Sequence, residues 1–120
     1  MAGGIRYGLP AQSMMMILCG EGRMRMQYEN GERTDKRVLS DGKPVLRYPA
    51  LFSVDGQSVL GVGSLDTTSD LAGTAFGEIL RGLPGHMAEV AVSPGGQFEV
   101  RLTVTVDSVV PAKPLEEAKS

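Results

Sequence analysis

Tryptophan is absent from this 120-residue chain, and only three Tyr, three Phe, one Cys and one His occur. Each scarcity excludes something. A single cysteine, Cys19, rules out an internal disulfide and any multi-cysteine metal site. Sitting in an apolar run, it reads as a small buried packing residue suited to a reducing compartment. A single histidine, His86, beside Gly85 and ahead of a strand pattern, has no nucleophile or base in a recognisable spacing around it. The stretch "GVGSLD" lacks the Gly-Lys-Ser/Thr ending of a phosphate loop. Asp66, Asp70 and Glu78 have no further ligands near them in sequence, so no metal and no cofactor are expected. The longest purely apolar run near the start, Met14 to Cys19, has six residues. That is too short for a membrane span and weak as a signal peptide, so a non-membrane, cytoplasmic protein is expected. Nothing here points to an enzyme.

What is present is turn chemistry and strand pattern. Sixteen glycines and seven prolines imply many turns and short elements, and the length implies one domain. Residues 1–11 are Gly- and Pro-rich and are expected to form a flexible arm. "SMMMILC" reads as a strand buried on both faces. "RMRMQYE" alternates, with Met24, Met26 and Tyr28 on one side and Arg23, Arg25 and Gln27 on the other. The two runs suggest a hairpin around Glu21-Gly22. Residues 30–44 read as a long loop or flexible hairpin, with Asn30-Gly31 and Asp41-Gly42 as turn formers. "VLRYPALFSV" and "QSVLGVGSL" flank Asp55-Gly56 as a hairpin, with Pro49 marking an edge position or a bulge. "HMAEVAVS" and the alternating segment from Phe98 through Val100, Leu102 and Val104 to Val106 make a further hairpin. Between these pairs, residues 69–81 carry Leu71, Ala75, Phe76, Ile79 and Leu80 at helical spacing, with Asp70 at the start and Gly82 at the end. The polar tail 111–120 reads as disordered.

The resulting order, β-β-β-β-α-β-β, is that of a mainly β protein with one short helix. A small open sheet exposes edges, and closing it removes them. The expected fold is therefore an oligonucleotide-binding (OB)-like, five- or six-stranded antiparallel barrel over residues 12–110, with a two-layer sheet as the alternative.

Charge supplies the functional lead. The net charge is -2, but residues 1–54 carry eight basic and five acidic side chains, against four and nine in residues 55–120. Residues 23–47 hold seven cations (Arg23, Arg25, Arg33, Lys36, Arg37, Lys43 and Arg47) against Glu29, Glu32, Asp35 and Asp41. A +3 segment flanked by Tyr28 and Tyr48 fits weak to moderate, salt-sensitive binding of single-stranded nucleic acid, with cations on phosphates and tyrosines on bases. Tyr48 and Phe52 share a strand face, which serves either a groove or the core. Five of the seven methionines fall between positions 14 and 26, a composition for core filling or a subunit contact.

The segments "SDGKPVLRYPALFSVDG" and "VTVDSVVPAK", about a quarter of the chain, resemble the single-stranded-DNA-binding (helix-destabilising) proteins of filamentous phages. They are similar too to small replication-accessory proteins of plasmids and integrative elements. The resemblance implies an OB-type dimer in which the Gly-Lys-Pro region forms a DNA-binding wing. Arg37 and Lys43 would then meet phosphates and Tyr48 a base. Val45 departs from the pattern, which favours tyrosine there. The function so implied is non-sequence-specific single-stranded-DNA binding in replication or transfer, by a homodimer or higher homo-oligomer. The alternative is a structural or assembly oligomer that does not bind nucleic acid.

Overall fold

The computed structural model describes residues 4–95 and 99–112. It is built almost wholly from strands: β1 (Ile5–Pro10), a single 3-10 turn (Ala11–Ser13), β2 (Met14–Leu18), β3 (Arg23–Met24), β4 (Met26–Glu29), β5 (Glu32–Arg37), β6 (Leu39–Ser40), β7 (Lys43–Pro44), β8 (Leu46–Val54), β9 (Ser58–Thr67), β10 (Leu80–Gly82), β11 (Met87–Pro94), β12 (Val100–Thr105) and β13 (Val109–Pro111). Among the described residues no helix is long and apolar enough to cross a membrane.

The main sheet runs β1-β11-β12-β9-β8-β2-β10-β13, with β3 also on β8. All its pairings are antiparallel except β12 with β9. Its curl follows from chain length. Four strands separate β1 from β2, a distance of about 24 Å in a flat sheet. Only Ala11–Ser13 join them, and three residues bridge at most about 14 Å. The sheet therefore bends into a half-barrel. The interior is filled by Met14, Met16, Phe52, Leu65, Val90 and Val104, each at most 1% exposed. Each contributes about 1.5–3 kcal/mol by leaving water. Gly82 lies so close to Ala11 that a Cβ there would overlap it, which fixes where β10 meets the 3-10 turn.

Two of the three sequence-read strand hairpins are present. Asp55-Gly56 turns β8 into β9, with Asp55 at φ 54° and Gly56 at φ 69°, the left-handed pair that an Asp-Gly turn supplies. The β11–β12 pair follows the alternation, with Ala88 and Val90 inward and Met87 outward at 65% exposure. Phe98 lies outside the described residues.

Several expectations are corrected. Residues 5–10 are not an arm: they pair residue for residue with β11, from Ile5↔Val92 to Pro10↔Met87. Residues 1–3 lie outside the described residues. The β2 and β3 runs do not form a hairpin. Both pair with β8, Leu18 opposite Ala50 and Arg23 opposite Arg47. Five steps therefore face three, which makes a two-residue bulge. "GEG" is a sidestep along one partner strand, and Gly22 sits where a Cβ would overlap the Tyr48 ring. Pro49 faces this bulge: its carbonyl accepts from Cys19 N at 2.7 Å, and a strand residue points its N and C=O to the same side. Cys19 itself is exposed. At the other end Pro111 pairs with Leu80, and Ala112 N donates to Ile79 O at 2.8 Å. The remaining tail, 113–120, lies outside the described residues.

No helix spans 69–81. The residues just ahead of it and at its start bond across the chain instead: Ser69 Oγ accepts from Val109 N at 3.0 Å, and Thr67 and Thr68 hydroxyls both donate to Asp107 O. Gly77 takes φ +85°, which an α-helix does not tolerate. Only isolated turns remain, Thr74 N to Leu71 O and Glu78 N to Ala75 O. The intended apolar face finds no partner at Phe76, which is 98% exposed.

Candidate nucleic-acid interface

Residues 30–44, read as a long loop or flexible hairpin, join β4 in two small hairpins outside the main sheet: β4–β5 and β6–β7. Asn30 (φ 54°) with Gly31 (φ 79°), and Asp41 (φ 52°) with Gly42 (φ 77°), close them. We call this pair of hairpins the wing. In β4–β5, Met26 faces Arg37 and Tyr28 faces Arg33. Two steps on β4 thus oppose four on β5, so β5 carries two extra residues. Thr34 stabilises the bulge: its hydroxyl donates to Gln27 O at 2.7 Å and accepts from Lys36 N at 3.2 Å. Most wing residues are exposed, so local turns and hydrogen bonds hold it rather than a core.

At its root three backbone bonds form a ring, all 2.9 Å: Arg25 N to Val45 O, Val45 N to Val38 O, and Val38 N to Arg25 O. Beside the ring, Asp66 on β9 is 2% exposed. It accepts from Arg47 Nε at 2.8 Å, from Arg47 Nη2 at 3.0 Å and from Arg25 Nη1 at 3.0 Å. Arg47 is on β8 and Arg25 links β3 to β4, so one carboxylate ties wing to barrel. The Arg47 guanidinium is held above the ordinary arginine value, chiefly by its hydrogen bonds to Asp66 and against desolvation. Since the shift is upward from a value already far above neutrality, this side of the ion pair stays fully charged below it. It adds no pH dependence near neutrality.

The nine sequence-chosen residues therefore divide. Arg25 and Arg47 are taken up by Asp66. Lys36 approaches Glu29 at 3.8 Å, an exposed pair of little strength. Arg23, Arg33, Arg37 and Lys43 have no carboxylate within 4.0 Å among the described residues. Arg33 and Arg37 stand opposite Tyr28 and Met26, which share a strand face. Tyr28 is 68% exposed. Tyr48 is corrected: it is 4% exposed, and its hydroxyl accepts from Leu71 N at 2.9 Å. It is a core residue and offers no face for stacking.

A groove of about 340 Å³ opens at the wing root, lined by Arg6, Arg25, Arg47, Asp66, Thr103 and Thr105 among others. It continues from the wing over β9 and β12 toward β1. Asp66 was the residue sequence reasoning missed. It read as one of three acids near a helix start, and only the pairing Arg47↔Asp66 across β8–β9 reveals its role. Among the described residues no cluster of three His, Cys, Asp or Glu can hold a metal. No protein-family model, curated protein or solved structure matches this chain.

Proposed function

We propose that this chain is an OB-like single-stranded-DNA-binding protein that grips the backbone without reading sequence. The observation that carries the reading is the wing: Arg33 and Arg37 across from the exposed Tyr28 and Met26, with Lys43 on the second hairpin, none with a carboxylate partner among the described residues, on hairpins that bury no core, and Arg23 likewise unpaired on the neighbouring β3. A polyanion gains from such cations by releasing counterions, and a base gains from a tyrosine face. The OB-like part is supported by strand order. Counting β1 and β2 as one bent strand, the order around the curl is β1/β2, β8, β9, β12, β11 and back to β1, with β9 and β12 parallel. In OB folds oligonucleotides lie on the second and third strands and the loop joining the first to the second. Here those are β8, β9 and the wing.

On this reading Arg23, Arg33, Arg37 and Lys43 meet phosphates, Tyr28 stacks on a base, and Arg25, Arg47 and Asp66 set the wing's angle. Tyrosine fluorescence tests the division, because the chain has no tryptophan. Oligo-dT is expected to quench emission at low salt, and the quench is expected to vanish in Tyr28→Phe/Arg33→Ala. Absence of any quench or anisotropy change at low salt would remove the reading.

A further inference from the structure

Arg23, which has no carboxylate within 4.0 Å among the described residues, stands directly opposite Arg47 across β3 and β8. Side chains so paired have Cβ atoms about 5 Å apart on one face, and like charges there repel. The row continues across the sheet. Arg47 faces Asp66, Asp66 faces Thr105, and Thr105 faces Glu89. Arg25 enters from the wing root and bonds Asp66 as well. Three arginines thus meet one buried carboxylate, +3 against -1, which leaves the wing root at +2. Asp66 takes one N–H from Arg25 and two from Arg47, whereas each guanidinium carries five. Arg47 Nη1 and Arg25 Nε and Nη2 have no part in those bonds. Both side chains keep contact with water, 37% for Arg25 and 30% for Arg47, and both line the 340 Å³ groove. Thr103 and Thr105 line it from β12, each with a hydroxyl able to donate.

We propose that this groove holds one phosphoryl group, with Arg25 and Arg47 donating from the wing side, Thr103 and Thr105 from the β12 side, and Arg23 adding positive charge at the end of the row. The chemistry selects the class of ligand. Guanidinium N–H pairs match the oxygens of a phosphoryl group two at a time. A carboxylate presents two oxygens in one plane, whereas a phosphoryl group presents oxygens on several sides and can meet both walls together. Asp66 fixes the two forks before the ligand arrives, so little side-chain freedom is lost on binding. A bound anion also relieves the repulsion between Arg23 and Arg47.

Glu89 lines the same groove and works against an anion. It is exposed, and Arg6 approaches it at 3.6 Å. Counting every charge on the lining, Arg6, Arg25 and Arg47 against Asp66 and Glu89, the groove keeps +1 before Arg23 is added. The source of the phosphoryl group rests on the nucleic-acid reading, in which it is one backbone phosphate of the single strand, the one that Arg23 meets. The site itself stands without that reading and is open to free phosphate.

Titration of the full chain with inorganic phosphate tests it, followed by proton–nitrogen NMR at constant ionic strength with chloride as the anion replaced. Phosphate is expected to shift the Arg25 Nε–H signal and the Thr103 and Thr105 amides saturably, and chloride to leave them in place. Arg23→Gln is expected to weaken phosphate binding roughly tenfold. Thr103→Val with Thr105→Val, which keeps branched side chains on the strand, is expected to weaken it roughly threefold or more. Glu89→Gln is expected to tighten it by roughly threefold. Lys43→Ala, a cation off the groove, is expected to change nothing. The amide spectrum of each variant shows whether it is folded. Oligo-dT that displaces phosphate from these signals assigns the group to a strand. Saturable phosphate binding that oligo-dT leaves untouched assigns it to free phosphate, and only the nucleic-acid reading then fails. No saturable shift, the same shift with chloride, unaltered affinity in a folded Arg23→Gln or double threonine variant, or weaker binding in Glu89→Gln would each overturn the inference.

Discussion

The half-barrel and the wing are both antiparallel β-structure, yet opposite forces hold them. In the half-barrel the strands other than the two-residue β3 have one side packed on Phe52, Leu65, Val90 or their neighbours. In the wing, β4 and β5 pair only with each other, and their side chains face water. An isolated two-stranded hairpin is marginal in water. This one persists because left-handed turns close it, Thr34 satisfies its bulge, and the Arg25–Asp66–Arg47 cluster holds its root. Such a division frees the wing's outward side chains from any packing duty, and those are the side chains proposed to meet nucleic acid.

The sharpest way to break the comparison is through the core. Phe52→Ala removes a fully buried ring and is expected to cost about 3–5 kcal/mol. Urea unfolding should show both regions lost together, since the wing has no core to survive on. Next is the joint. Asp66→Ala strands two arginines that can still reach solvent, so the cost should be about 2 kcal/mol, below the full penalty for a buried charge. Hydrogen exchange should speed up at the Arg25, Val38 and Val45 amides more than at core amides. A uniform loss of protection would mean that the wing is not separately anchored.

A pair of tyrosine variants contrasts the regions directly. Tyr48→Phe leaves the buried Leu71 amide without its acceptor and should cost about 1–3 kcal/mol of stability with no effect on oligo-dT affinity. Tyr28→Ala should leave stability unchanged and weaken oligo-dT binding by about 1–3 kcal/mol. Swapped outcomes would invert the assignment of the two residues. Smallest in effect, Arg33→Ala and Lys43→Ala should each move stability by no more than about 0.5 kcal/mol. Each should flatten the salt dependence of binding by roughly 0.7 in slope.

Legibility in the sequence followed the same division. Alternation named the inward Ala88 and Val90 of β11 and Val104 of β12, because burial on one side forces a period of two, but it also put Val100 on that face, and Val100, at the strand's start, is 69% exposed. Asn30-Gly31, Asp41-Gly42 and Asp55-Gly56 were readable as turns, since few residue pairs accept two left-handed positions. The helix at 69–81 failed because periodicity measures only whether an apolar face exists. Whether anything packs against it is a tertiary matter, and Thr67, Thr68 and Ser69 found partners at Asp107 and Val109 instead. The cationic stretch was legible as composition. Which cations are already paired was not, because Asp66 lies 41 residues from Arg25 and 19 from Arg47. Tyr48 carried both readings until its burial decided for the core.

The most direct test of the wing's role is fluorescence anisotropy of labelled oligo-dT over a salt series. It compares the wild type with a variant in which Arg23, Arg33, Arg37 and Lys43 are all glutamine. Four phosphate contacts on a single strand predict a slope of log Kobs against log[salt] near about -3. The variant should show almost no binding while unfolding in urea like the wild type. Equal slopes in the two proteins, or no binding by the wild type at low salt, would contradict the account.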